Sequence, residues 1–134
     1  MAKKILIVDD EPHIQRLIVL SLKKLGCEIL TANDGSKALA LAASEQPALI
    51  VMDVTMPELD GISALKQLKA DPTTAKIPVV MLTSRGQVLV REQARYCGAE
   101  LCLTKPFSPN ALAAEAQRII EAGTPPASER KADG

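Results

Sequence analysis

Aromatic side chains are nearly missing from this chain: no tryptophan, one tyrosine and one phenylalanine among 134 residues. A surface that stacks on nucleic-acid bases needs several such rings, so base stacking is excluded as a working mechanism. Charge of one sign is also lacking. Sixteen Lys and Arg balance sixteen Asp and Glu, giving a formal net charge of zero. Nothing in that balance points to nucleic acid or to an anionic membrane. Three cysteines, Cys27, Cys97 and Cys102, are odd in number and show no CxxC spacing. They read as reduced thiols, which suits a cytoplasmic protein. The single histidine, His13, has no partner spaced to share a metal with it and reads as a surface residue. No apolar run approaches the ~20 residues of a membrane span, and the apolar run of the start "MAKKILIVDD" is too short for a signal peptide.

What is present is an alternation. Five apolar runs, "KILIVD", "CEILTA", "ALIVMD", "IPVVMLT" and "ELCLTK", are separated by stretches of helical character. Four of the five are nearly continuous rather than alternating, as strands covered on both faces are. Ile14, Leu17, Ile18, Leu22 and Leu25 define one face of a first helix, with Pro12 in its first turn and Gly26 as its stop. "GSKALALAASEQ" is rich in helix formers and ends at Pro47. Ile62, Leu65 and Leu68 give a third helix, "GQVLVREQARYCGAE" a fourth ending at Gly98, and "SPNALAAEAQRIIEAG" a fifth capped by Ser108. Strand and helix alternating five times predict an α/β doubly wound fold with right-handed crossovers. The domain is expected to span residues 1–122. The remainder, 123–134, is polar, lacks apolar periodicity and is expected to be a disordered tail.

The strand ends carry the chemistry. The first apolar run meets Asp9, Asp10 and Glu11 directly, the third ends in Asp53, the fourth in Thr83 and Ser84, and the fifth in Thr104 and Lys105. In an open parallel sheet these ends share one edge, where ligands bind at the reversal of strand order. Like charges gathered there repel unless something offsets them. A hard divalent cation with oxygen ligands would do so, and Mg2+ is the expected one. A carboxylate, a metal and a lysine together suit phosphoryl transfer, with Asp as nucleophile and an acyl phosphate as product. Plainer readings exist. Asp9–Asp10 could be only a charge cluster at a helix start, a position that favours anions. Thr83 and Lys105 could be polar strand-end and rim residues.

The chain resembles the receiver domain of bacterial two-component response regulators. The resemblance covers residues 3–122 and is carried by "ILIVDDEP", "TANDGSKAL", "LIVMDVTMPELDGI", "IPVVMLTS" and "GAELCLTKPFSPNAL", five motifs in order. It implies a flavodoxin-like five-stranded parallel sheet of order 2-1-3-4-5 with five helices. By the same resemblance Asp53 is the phosphoacceptor. Asp10, Asp53 and the backbone carbonyl of Thr55 form the Mg2+ site, with Asp9 supporting it through a water. Thr83 is the switch hydroxyl, Lys105 contacts the phosphoryl group, and the Lys105–Pro106 bond is cis. Thr55 and Arg85 flank the attacking water and tune phosphoryl lifetime. Cys102 stands where relatives carry a switch Tyr or Phe.

The function so implied is a phosphorylation-dependent signalling switch, stand-alone and chemotaxis-regulator-like. It is not an enzyme on other substrates; it catalyses only its own phosphorylation and dephosphorylation. A histidine kinase or phosphotransfer protein is the expected donor. Output is expected through contact with an unidentified protein target, via the fourth helix, fifth strand and fifth helix, as a monomer or a phosphorylation-dependent dimer. Neither nucleic acid nor a membrane is an expected partner. Two rivals remain. A haloacid-dehalogenase-type phosphatase uses similar residues, but its nucleophile opens the chain and its acid pair closes it, the reverse of the order here. A flavin-binding flavodoxin-like module lacks aromatic contacts.

Overall fold

The computed structural model describes residues 3–54, 60–84 and 88–122. The expected tail, Thr55 and Arg85 lie outside the described residues. Ten elements alternate along the chain: β1 (Lys4–Val8), α1 (Pro12–Lys23), β2 (Glu28–Ala32), α2 (Gly35–Glu45), β3 (Leu49–Asp53), α3 (Gly61–Ala70), β4 (Val79–Ser84), α4 (Val88–Tyr96), β5 (Leu101–Lys105) and α5 (Pro109–Ala122). The strands form one parallel sheet in the order β2-β1-β3-β4-β5. This is the doubly wound order that the resemblance implied.

Period-two alternation splits the sheet's side chains between two cores. Ile5, Ile7, Leu49, Val51, Val80 and Leu82 face α1 and α5, where they meet Ile18, Leu22, Leu112 and Ala116. Leu6, Val8, Ile50, Met52, Val79 and Met81 face the other way, onto Ala38, Ala42, Leu65, Leu68 and Ala94 of α2, α3 and α4. The three central strands are therefore apolar at almost every position. The edge strands are only half-buried, with β2 more polar and β5 partly exposed throughout. Each large aliphatic side chain sealed in this way contributes about 1.5–3 kcal/mol.

Helix boundaries follow local chemistry. Pro12 opens α1, and Asp34 and Asp60 cap α2 and α3 by accepting from the backbone N–H groups of Lys37 and Ser63, each at 2.8 Å. Ser108 accepts from Ala111 N–H at 3.3 Å at the start of α5. Gly98, at φ +106, ends α4, and the Ala99 N–H turns back to the Ala94 carbonyl. One expectation needs correcting. Leu17, assigned to the buried face of α1, is 39% exposed, while Ile18 and Leu22 are fully buried and Ile14 and Leu25 pack at the margin. The sheet and α5 cover the narrow stripe 14–18–22–25, and Leu17 falls beside it. Among the described residues no helix is long and apolar enough to cross a membrane.

Candidate functional site

Because β1 and β3 are adjacent and in register, Val8 opposite Met52, the residues that leave them converge at the carboxyl edge of the sheet. One carboxylate oxygen from each of Asp9, Asp10 and Asp53 can be chosen so that all three lie within 4.8 Å of one another. The three are not equivalent. Asp9 is 1% exposed and Asp53 8%, whereas Asp10 faces solvent.

Lys105 enters from the last position of β5. Its Nζ donates to Asp53 Oδ2 at 3.1 Å and lies 3.5 Å from Asp9 Oδ2. One ammonium thus bridges two buried carboxylates contributed by β1 and β3. The peptide bond that follows, Lys105–Pro106, is cis. Asp9 also accepts the Glu11 backbone N–H at 2.8 Å through Oδ1. Burial nevertheless dominates at Asp9. It raises the carboxyl pKa more than the Glu11 N–H and the Lys105 charge lower it. At Lys105 the balance is opposite. Burial works against its charge, but the hydrogen bond and charge of Asp53, with Asp9 behind, outweigh it and raise its pKa.

Thr83, on β4 between Asp53 and Lys105, is completely buried. Its hydroxyl donates to the Leu103 carbonyl of β5 at 3.5 Å, the weak limit of a hydrogen bond. Cys102 sits on β5 against the α2–α3–α4 core, half-buried, with its Sγ 3.9 Å from the Arg91 carbonyl of α4. Burial raises its thiol pKa, against the pull of Arg91 and Arg95, so the thiol form is favoured.

The donor set suits a hard divalent cation. All donors are hard oxygens. One oxygen from each of the three carboxylates lies within 4.8 Å of the others, so Asp9, Asp10 and Asp53 are the residues that would hold such a cation. Formally, three carboxylates and one ammonium leave two negative charges, which a divalent cation balances.

Two residues that sequence reasoning did not single out help to build this edge. Gly61 opens α3 directly beneath Asp53, and its N–H donates to the Val54 carbonyl at 2.8 Å. A Cβ there would lie 2.3 Å from the Asp53 carbonyl oxygen. Gln15, one turn into α1, reaches back to the backbone of the first strand's end. The signal for Gly61 was the Asp60–Gly61 pair itself, a turn-forming dipeptide just before a helical stretch. That for Gln15 was a carboxamide beside the apolar stripe of α1.

Comparison with known proteins agrees with the fold. The family model for the response regulator receiver domain matches residues 5–117. The chain is 40% identical over 99% of its length to the alkaline phosphatase synthesis transcriptional regulatory protein PhoP of Bacillus subtilis, covering 55% of that protein. It is 39% identical over 87% of its length to the DNA-binding dual master transcriptional regulator RpaA of Synechocystis, covering 48% of it. The chain thus spans about half the length of the curated relatives it matches. Among solved structures, a putative response regulator from Chloroflexus aurantiacus superposes with a TM-score of 0.85 at 30% identity, covering 90% of this chain and 99% of that one. The chemotaxis response regulator CheY4 of Vibrio cholerae gives 0.81 at 32% identity, covering 89% and 99%.

Proposed function

This chain belongs to the response regulator receiver family, the phosphorylation-dependent signalling domain of two-component systems, and we propose that Asp53 is its phosphoacceptor. The observation that carries this reading is the bridge from Lys105 Nζ to Asp53 Oδ2 at 3.1 Å, beside two further acids. The donor is a phosphohistidine on a histidine kinase or phosphotransfer protein. A carboxylate oxygen of Asp53 attacks phosphorus, the P–N bond breaks, and the imidazole leaves with the electron pair and takes up a proton. Lys105 is placed to meet the charge on the transferred oxygens. Mg2+, held by Asp10, Asp53 and the Thr55 carbonyl with Asp9 acting through a water, would neutralise phosphoryl charge when bound.

Thr83 is the switch residue of this reading. Its hydroxyl gives up a 3.5 Å bond to the Leu103 carbonyl, a small loss, for a charge-assisted bond to a phosphoryl oxygen, a larger gain. That difference biases the population toward a form in which β4, β5 and α4 are rearranged. Thr55 and Arg85 set the lifetime of the acyl phosphate by governing access of water to phosphorus. The domain therefore turns over only its own phosphoryl group. Its location is cytoplasmic, and it acts as a monomer or a phosphorylation-dependent dimer. Output passes to an unidentified protein target through α4, β5 and α5. Transcription control belongs, by their names, to PhoP and RpaA.

The test is incubation with acetyl phosphate and Mg2+, followed by intact mass spectrometry. The wild-type protein should gain one phosphoryl group and Asp53→Asn none. An undiminished adduct in Asp53→Asn removes Asp53 from the role.

A further inference from the structure

The Gln15 side chain closes a contact that none of the phosphoryl-transfer roles above uses. Its Nε2 donates to two backbone carbonyls, those of Asp9 and Ala32, each at 3.2 Å. These belong to the ends of neighbouring strands, β1 and β2, already joined there by the Asp9 N–H donating to the same Ala32 carbonyl at 3.1 Å. Gln15 itself is anchored on α1, its own N–H donating to the Glu11 carbonyl at 3.0 Å. One carboxamide therefore ties α1 to both strand ends at the residue that leads into the acid pair.

The consequence falls on Asp10. Asp9 is held three ways: by burial, by the Glu11 N–H and by Lys105. Asp10 is exposed, and its carboxylate makes no hydrogen bond or ion pair among the described residues. With no such partner to hold it, Asp10 takes its place from the backbone, and the carbonyl immediately before it is the one that Gln15 grips. We propose that Gln15 is a positioning residue for the cation site: by fixing the Asp9 carbonyl it aims the Asp10 carboxylate at Asp53. This rests on the Mg2+ reading of Asp9, Asp10 and Asp53 given above.

Outer contacts that orient ligands typically cost 10–100-fold in metal affinity when removed. Gln15 acts through backbone, so the low end applies. Gln15→Met keeps the length and apolar stem of the side chain and removes both donors. Titration calorimetry with MgCl2 should show the dissociation constant rising about 10-fold. Thr74→Val is the control for a merely structural loss. It removes a buried bond from the Thr74 hydroxyl to the Leu68 carbonyl, 2.7 Å long and remote from the site. It should lower the melting temperature and leave Mg2+ affinity unchanged. The wild-type protein supplies a readout independent of any variant's folding. In NMR spectra the Gln15 carboxamide protons should exchange slowly with solvent, and their resonances should move on Mg2+ addition with the calorimetric dissociation constant.

Wild-type Mg2+ affinity in Gln15→Met would overturn the proposal while leaving the metal reading intact. So would an equal loss in Thr74→Val, or a Gln15 carboxamide that exchanges freely and ignores Mg2+. A wild-type protein that takes up no Mg2+ overturns both readings.

Discussion

Replacing Gly61 by alanine sets two effects of known sign against each other. Gly61 is the first residue of α3, and its φ is not left-handed, so the helix itself welcomes alanine. Relief of glycine's backbone entropy would stabilise the protein by about 0.5–1 kcal/mol. Against this, the new Cβ would lie 2.3 Å from the Asp53 carbonyl oxygen, 2.8 Å from the Val54 Cα and 2.9 Å from the Met81 Cε. The methionine end can swing away. The first two atoms are backbone at the end of the central strand and can move only by shifting β3 or the whole of α3. Forcing a methyl group into packed surroundings costs about 1–3 kcal/mol. The clash wins, and a net loss of about 1–2 kcal/mol follows, equivalent to a fall of about 3–10 °C in melting temperature.

The shift should also reach the site, because the crowded oxygen is the carbonyl of Asp53. Gly26→Ala separates the two consequences. Gly26 has φ +77 with nothing within 4 Å of a built Cβ, so its cost is conformational alone, about 1–2 kcal/mol. Thermal unfolding followed by far-UV circular dichroism should give losses of similar size for the two variants. Phosphorylation by acetyl phosphate should slow in Gly61→Ala and not in Gly26→Ala. Wild-type stability in Gly61→Ala, or equal slowing in both, would refute the reasoning.

Two further outcomes are expected. Lys105→Met leaves two buried carboxylates without their shared cation, so unfolding without Mg2+ should show a loss of about 1–3 kcal/mol at neutral pH. Because the folded pKa of Lys105 is raised, its contribution is full below its ordinary value near 10.5 and fades as pH climbs through the folded value; a wild-type–variant difference that is flat up to strongly alkaline pH would count against the pair. Cys102→Tyr supplies the ring that this strand lacks, and if the thiol is too small to couple site and surface, amide shifts of α4 between the free and fluoroberyllate-treated protein should grow in the variant. Equal shifts would show that backbone and helix movement carry the signal alone.

Much of this structure was legible because burial writes itself into composition. Strands β1, β3 and β4 are covered on both faces, so "ILIV", "LIVM" and "VVML" are unbroken apolar runs. Proline and glycine marked the helix ends, and acids after two such runs marked the edge where chemistry gathers. The strand order came from resemblance alone, since periodicity does not record which strands pair. Exposure within the acid pair was equally silent. Asp9 and Asp10 are chemically identical neighbours, yet one is sealed and the other open, because successive residues leave a strand on opposite sides. Leu17 was misplaced for a related reason, as a helical stripe read from sequence is broader than the one its neighbours cover.

The division between Asp9 and Asp10 also bears on how the site can be both stable and responsive. A fully buried acid cluster would carry an electrostatic cost in every state. Here the buried pair, Asp9 and Asp53, shares Lys105, so the edge holds together without further charge. The remaining acid faces water, where its charge costs little. On the proposed reading, a divalent cation would be met by an acid already open to solvent, and a phosphoryl group on Asp53 would ask Lys105 to share its charge with new oxygens. Thr83, sealed but weakly bonded at 3.5 Å, has little to lose by turning toward them. Lys105 would thus serve both states of the edge, while the weak bond of Thr83 is the one given up on the way between them.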